Sequence, residues 1–214
     1  MTAERVADTQ PSPAVSSRVQ RKRGQRVRQI VKAAAELFGE RGYEAVSLED
    51  VAERLDVTKG LLYYYFASKD DLATAAIETL GNEWTARLQE LSDALDGPPA
   101  VRLRALIREH LTIAVRDYPA ALRLFLEPRS WPPPQAARIK DLRRRHDRVF
   151  RSVVEDGVAA AEFTVIRVDT TMQCLHAAMA QAPVWCAPLP PRARDRAIDE
   201  LTATLMMLVG QLPS

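Results

Sequence analysis

The stretch GYEAVSLEDVAERLDVTKGLLYYYFASK, residues 42–69, decides the fold. Before it, Ile30, Ala34, Leu37 and Phe38 recur at spacings of four, three and one. They mark one face of a helix that opens near Arg26 and is stopped by Gly42. Ser47, with Asp50 three residues on, predicts a capping box for a short helix that buries Leu48, Val51, Ala52 and Leu55. Asp56 and Val57 then make a tight connection. Thr58 is positioned to accept a backbone N–H at the start of a third helix, Lys59 to Phe66, which turns Leu62 and Tyr65 inward. Ser68, followed by Asp70 and Asp71, caps a much longer helix in which Leu72, Ala76, Leu80, Trp84, Leu88, Leu91 and Leu95 repeat at helical intervals. Gly97-Pro98-Pro99 ends it.

Outward from this core the rest of the chain is also helical in character. The 214 residues are 47% hydrophobic, enough for a packed interior, and contain only eight glycines and no run of alternating β-branched residues. Helices are expected over about 100–117, 120–127, 135–160, 168–186 and 191–212, separated by Pro119, Pro128, the stiff Trp131-Pro132-Pro133-Pro134 connection and the Pro188, Pro190, Pro191 cluster. The fold class is therefore all-α. The chain divides into a disordered basic arm (1–20), a compact three-helix helix-turn-helix unit (21–68) and a larger helical domain (69–214).

Charge is uneven. The first twenty-eight residues hold seven basic side chains (Arg5, Arg18, Arg21, Lys22, Arg23, Arg26, Arg28) and two acids, while the whole chain carries only +2. The basic end is either a solubilising tail or an arm that contacts the minor groove or phosphates of double-stranded DNA. No apolar run resembles a secretory signal or a membrane span, so a cytoplasmic protein with no membrane partner is expected. Cys174 and Cys186 are too few for a disulfide framework and read as buried fillers.

A two-turn helix, a tight turn and a second helix edged with Tyr, Lys and Gly has the dimensions a DNA major groove admits. Lys59, Gly60 and Leu61 open the reading helix: Lys59 reaches a guanine edge or a phosphate, Gly60 allows close backbone approach, and Leu61 offers apolar contact to a thymine methyl. Over residues 26 to 72, a third of the chain, the order of glycine stop, short helix pair, aromatic run and Ser-Lys helix start resembles the DNA-binding domain of the TetR family of regulators. The resemblance implies that Tyr63 and Tyr64 lie against phosphates or base edges and that Lys69 grips a phosphate. It also implies that Ser47 donates to another phosphate at the second helix's N-terminus, and Thr58, at the start of the reading helix, is counted with the DNA-binding residues. Tyr65 and Phe66 read as core. The chain departs from the family at Tyr65, where many relatives have His, and at Glu49 and Asp50, where some have bases.

The same resemblance implies an effector pocket in the larger domain. Candidate lining residues are Trp84, His110, Tyr118, Phe125, Trp131, Met172, His176, Met179 and Trp185, bulky apolar walls with a few polar tips. Such a pocket suits a lipophilic or acyl ligand, and the phrase Asp156 to Phe163 is similar to one in relatives that sense acyl-CoA thioesters. The run Arg138, Lys140, Arg143, Arg144, Arg145, Arg148, Arg151 is either a solvated helix face or a clamp for an anionic ligand. Met172, Leu175, Ala178 and Met179, with Ile198, Leu201, Leu205, Leu208 and Val209, carry more apolar surface than one chain readily covers. The last two helices are expected, as in the family it resembles, to form a homodimer whose reading helices stand about 34–36 Å apart, one DNA turn, or a multiple of that.

An enzyme is not expected. The chain has three histidines, no Gly-rich phosphate loop and no nucleophile elbow. Cys174 and His176 fall on different helix faces, which disfavours a metal site, and no cofactor is anticipated. An architectural DNA-binding protein that senses nothing remains the alternative to a ligand-responsive regulator.

Overall fold

A computed structural model describes residues 13–117, 130–186 and 188–210, all helix, turn or irregular chain, with no strand among them. The helices are α1 (Pro13–Arg41), α2 (Leu48–Arg54), α3 (Lys59–Tyr65), α4 (Lys69–Ala94), α5 (Pro99–Thr112), α6 (Pro133–Ala159), α7 (Val168–Cys186) and α8 (Pro191–Met206). A π-helical turn, Ile113–Asp117, extends α5, and a 3₁₀ turn, Met207–Val209, extends α8.

Local chemistry explains most boundaries. Gly42 stands at φ +82°, the left-handed conformation a residue with a Cβ resists, and so stops α1 where the sequence put the stop. At α2 the capping box is complete: the Asp50 amide donates to Ser47 Oγ at 3.1 Å, and the Ser47 amide donates to Asp50 Oδ2 at 2.7 Å. Ser68 caps α4 in the same way, accepting from the Asp71 amide at 3.0 Å. Caps of this type contribute about 1 kcal/mol each.

Several expectations are corrected. Residues 13–20, assigned to a disordered arm, are helical, and α1 begins well before Arg26. Pro13 at the first helical position has its φ preset and no N–H to leave unpaired, so composition alone misread it. Thr58 occupies the N-cap of α3, but its side chain makes no cap hydrogen bond. The helix after Gly97 loses α-helical geometry at Ile113 rather than continuing to residue 117. α6 starts at Pro133, because Pro132, Pro133 and Pro134 serve as cap and first turn instead of a separate connection. Cys174 is exposed, not buried, and both cysteines are free thiols. The helix expected over 120–127, with Tyr118 and Phe125, lies outside the described residues.

One continuous apolar core runs from Ile30 in α1 to Val209 after α8. α4 belongs to both ends of it: Leu72, Ala73 and Ala76 lie at its start, while Trp84 and Leu88 lie among the larger domain's helices. α4 packs on α1, α5 and α6, and α5 on α6 and α8. The apolar residues read as a dimer face are mostly used within the chain itself, since Met172, Leu175, Met179, Ile198, Leu205 and Val209 are all buried. The Asp156 to Phe163 phrase has a packing explanation. Gly157 lets the Phe163 ring lie directly against α6, where any Cβ would overlap it.

Candidate nucleic-acid interface and effector cavity

α3 buries Leu62 and turns its other side outward. Thr58, Lys59 and Gly60 are exposed, Leu61 is half-buried, and Tyr63 and Tyr64 are 47% and 69% exposed. Tyr65 is partly buried against the core and Phe66 is buried. Tyr63, Ser47 and Lys69 come together from three elements on a shallow depression of about 500 Å³, whose wall also includes Glu44 and Glu49.

The candidate cations and hydroxyl already have partners. Lys59 forms an ion pair with Glu49 across the turn, and its Nζ sits 5.5 Å from the Tyr63 ring centroid. The pair holds Glu49 below the usual carboxylate range and raises Lys59. Lys69 Nζ donates to the Glu44 carbonyl at 3.2 Å and lies 4.2 Å from the Tyr43 ring centroid. Ser47 Oγ is engaged with Asp50, whose carboxyl its hydroxyl and amide hold low.

In the larger domain a cavity of about 440 Å³ lies among α4, α5, α6 and α7. Gly81, Trp84, Leu142, Ala177 and Ala180 supply apolar wall; Thr85, His110, Arg143, His146, Asp147 and His176 supply polar groups. The three histidines gather round Phe150, with His146 ring centroid 5.1 Å from His110 and 5.6 Å from His176. Burial, reinforced by the neighbouring imidazoles, lowers His110 far below its ordinary value and His146 to about 4. Burial also lowers His176, although Asp147 opposes it. All three rings are therefore neutral at pH 7. No group of three or more His, Cys, Asp or Glu among the described residues is arranged to hold a metal ion.

Beside this cavity, and sharing Arg143, Asp147 and His176 with it, runs a groove of about 1080 Å³ lined by Trp131, Ile139, Lys140, Arg144, Arg148, Arg151, Asp169 and Met172 among others. The groove is larger but open and charged; the cavity is more enclosed and mostly apolar. Arg151 is neutralised by Asp147 and Asp169, each at 2.8 Å.

Of the candidate pocket residues, Trp84, His110 and His176 line the cavity and Trp131 and Met172 the groove. Met179 is buried in the core and lines neither, and Trp185 is 55% exposed away from both. Sequence reading missed Thr85, Leu142, His146 and Asp147. The missed signal was the inward stripe Ile139, Leu142, His146, Val149, Phe150, Val153 running through the arginines at helical spacing.

The two regions touch through aromatic rings. Trp131 packs edge-on to Tyr43, 6.0 Å between centroids, and Tyr43 in turn lies under Lys69 and donates its hydroxyl to Asp70 at 2.7 Å. Gln135 donates to Asp71 at 3.0 Å, and Arg138 pairs with Glu78.

Comparison with known proteins agrees with this architecture. Residues 30–76 match the family of bacterial regulatory proteins, tetR family, and residues 96–209, more than half the chain, match a tetracyclin repressor-like C-terminal domain. A TetR/AcrR-family transcriptional regulator from Thermobifida fusca is 30% identical, with a TM-score of 0.66 over 85% of this chain and 97% of that one. The FadR regulator of Bacillus subtilis, solved with stearoyl-CoA, shares the fold at 19% identity and a TM-score of 0.69, covering 85% of this chain and 96% of that one. An HTH-type transcriptional repressor of Mycobacterium tuberculosis is 38% identical over 84 residues, 36% of this chain and 45% of its own length. The chain thus spans less than half the length of the curated relatives it matches. With a helix-turn-helix joined through α4 to a larger helical domain, and with family matches over both, the chain belongs to the TetR family of bacterial transcriptional regulators.

Proposed function

We propose that this regulator is a repressor that occupies a palindromic operator as a homodimer and leaves it when a small lipophilic or acyl-type molecule fills the inner cavity. The observation that carries the reading is that cavity of about 440 Å³, mainly apolar and set among α4, α5, α6 and α7. In this reading the exposed edge of α3 (Thr58, Lys59, Gly60, Leu61, Tyr63, Tyr64) enters the major groove, and Ser47 and Lys69 meet phosphates on either side. Acting on DNA, the protein works in the cytoplasm.

Dimerisation through the last two helices is supported by the apolar side chains they leave exposed, Val184 and Trp185 on α7 with Met207 and Leu208 after α8. Repression is supported by the M. tuberculosis relative, a repressor by name. An acyl-type ligand is supported by FadR, solved with stearoyl-CoA, and by the groove beside the cavity. There Lys140, Arg144 and Arg148 have no acid within ion-pair distance among the described residues and suit an anionic head group. The ligand acts by population shift: it prefers the arrangement in which the reading helices are misplaced, and operator affinity falls by the ratio of its affinities for the two states.

Selection of binding sites from a random duplex pool at physiological salt tests the reading. An enriched palindrome is expected, and the recovered duplex then reports release by fatty acyl-CoA thioesters and by neutral lipophiles. Failure to enrich any sequence would reduce the protein to a non-specific DNA binder, and a palindrome that none of these compounds releases would remove the ligand from the reading.

A further inference from the structure

The hydrogen-bond economy of the inner cavity bears on what kind of molecule enters it. Thr85 Oγ1 lies 2.7 Å from the Gly81 carbonyl and 3.3 Å from His146 Nδ1. A hydroxyl has one proton, and the shorter contact is to a group that can only accept, so Thr85 donates to Gly81. The contact with His146 therefore requires Nδ1–H to donate to Thr85, which fixes the tautomer and leaves Nε2 as a bare acceptor. That Nε2 is shielded from solvent and has no hydrogen-bond partner among the described residues. His176 repeats the pattern: its Nε2 is 3.2 Å from Asp147 Oδ1 and donates to it, which leaves Nδ1 as an acceptor. Two of the three rings on this wall thus offer lone pairs. A buried acceptor left unpaired is uncommon in folded proteins and calls for a donor. The tail of a plain acyl chain has none to give.

We propose that the effector of the inner cavity is an uncharged, mostly apolar molecule carrying an O–H or N–H group, and that it donates this hydrogen to Nε2 of His146. The inference rests on the reading of this cavity as the effector site. Trp84 and Leu142 enclose the apolar body, and His176 Nδ1 stands as a second acceptor on the same wall. A carboxylate has no proton to donate to either acceptor at neutral pH.

Three probes on one ring frame separate the possibilities: 2-naphthol with a donor, 2-methoxynaphthalene without one, and 2-naphthoate with a charge, each titrated calorimetrically into the full chain at neutral pH. The expected result is that 2-naphthol binds about ten-fold more tightly than 2-methoxynaphthalene, the worth of one well-made hydrogen bond. In His146→Phe the two should become equal, with the methoxy probe within about three-fold of its original affinity. His146→Leu serves as a second variant, and thermal melting of both reports their folding. The comparison of probes in the unaltered protein decides the matter even if neither variant folds. Equal binding of naphthol and methoxynaphthalene, tightest binding of naphthoate, or a naphthol preference that survives in folded His146 variants overturns the donor assignment while leaving the cavity as the effector site. Absence of binding by all three overturns both.

Discussion

Glu49 and Lys59 face each other across the turn between α2 and α3, both largely exposed and paired with one another. A solvent-exposed pair of this kind adds little stability, so its effect should appear on DNA rather than on folding. Glu49→Gln releases Lys59 to a phosphate and removes a negative charge beside the groove. Affinity for any duplex should rise, and the slope of log affinity against log salt should steepen by about one. An unchanged slope would mean Lys59 does not reach the backbone. Lys69→Ala acts in the opposite sense, weakening binding to all sequences and flattening the salt dependence, because this cation stands where a phosphate contact is expected. Loss confined to one sequence would assign Lys69 to base reading instead.

His146 gives the residue scale a pH dependence with a defined sign. In the unfolded chain its ring takes up a proton near 6.5, and in the folded protein near 4, chiefly because burial disfavours the charge. The unfolded state therefore binds more protons between these values. Stability is complete above about pH 6.5 and falls as the pH drops towards 4, by up to about 3 kcal/mol at 1.36 kcal/mol per unit. The groups facing this ring act on the same window: His110 and His176 are lowered too, and Asp147 favours protonation of His146. Melting curves of the protein and of His146→Phe across this range should diverge, the variant losing less on acidification. Parallel curves would show that His146 does not carry the effect.

Among the helices, α6 depends on one missing methyl group. Gly157 admits the Phe163 ring where a Cβ would overlap it, and Phe163 is 4% exposed. Gly157→Ala should lower stability by about 1–3 kcal/mol, the range for overpacking, in chemical denaturation. Combining it with Phe163→Leu should recover part of that loss, and strict additivity of the two changes would argue against the contact. Element boundaries were legible where a side chain enforces them: Ser47 with Asp50, Ser68 with Asp71 and Gly42 each act on backbone groups within a few residues. They were not legible where tolerance decides. Pro13 can open a helix as readily as belong to a tail, and nothing in Ile113–Asp117 announces a change of hydrogen-bond spacing. His146 was hidden in the cavity wall because five charged neighbours, Arg143, Arg144, Arg145, Asp147 and Arg148, dominate the local pattern. Trp84, His110 and His176 lie in segments of clearer period, and the sequence reading named them among the residues that line this cavity.

For the molecule as a whole, the expected dimer face was overestimated from sequence, because periodicity marks which side chains are buried but not whether their own chain or a second copy buries them. The apolar groups still exposed on α7 and after α8 are fewer. Trp185→Glu should convert the proposed dimer to monomer in sedimentation and abolish operator binding while leaving the helical signal intact. A dimer that persists in this variant would move the interface elsewhere. The head and the larger domain are joined by α4 and by the Trp131 to Tyr43 contact, and any coupling between the proposed ligand in the cavity and the proposed operator is reciprocal in free-energy terms.

α4 has one further property, that of a lever. Lys69 lies fifteen residues from Trp84, about 22 Å along the axis at 1.5 Å per residue. A pivot of about 5° at Trp84 would swing the start of the rod by about 2 Å. Applied to both copies of the proposed dimer in opposite directions, it alters the distance between the reading helices by about 4 Å, slightly more than one base-pair step of roughly 3.4 Å. No helix need melt or re-form for the protein to fall out of step with its DNA.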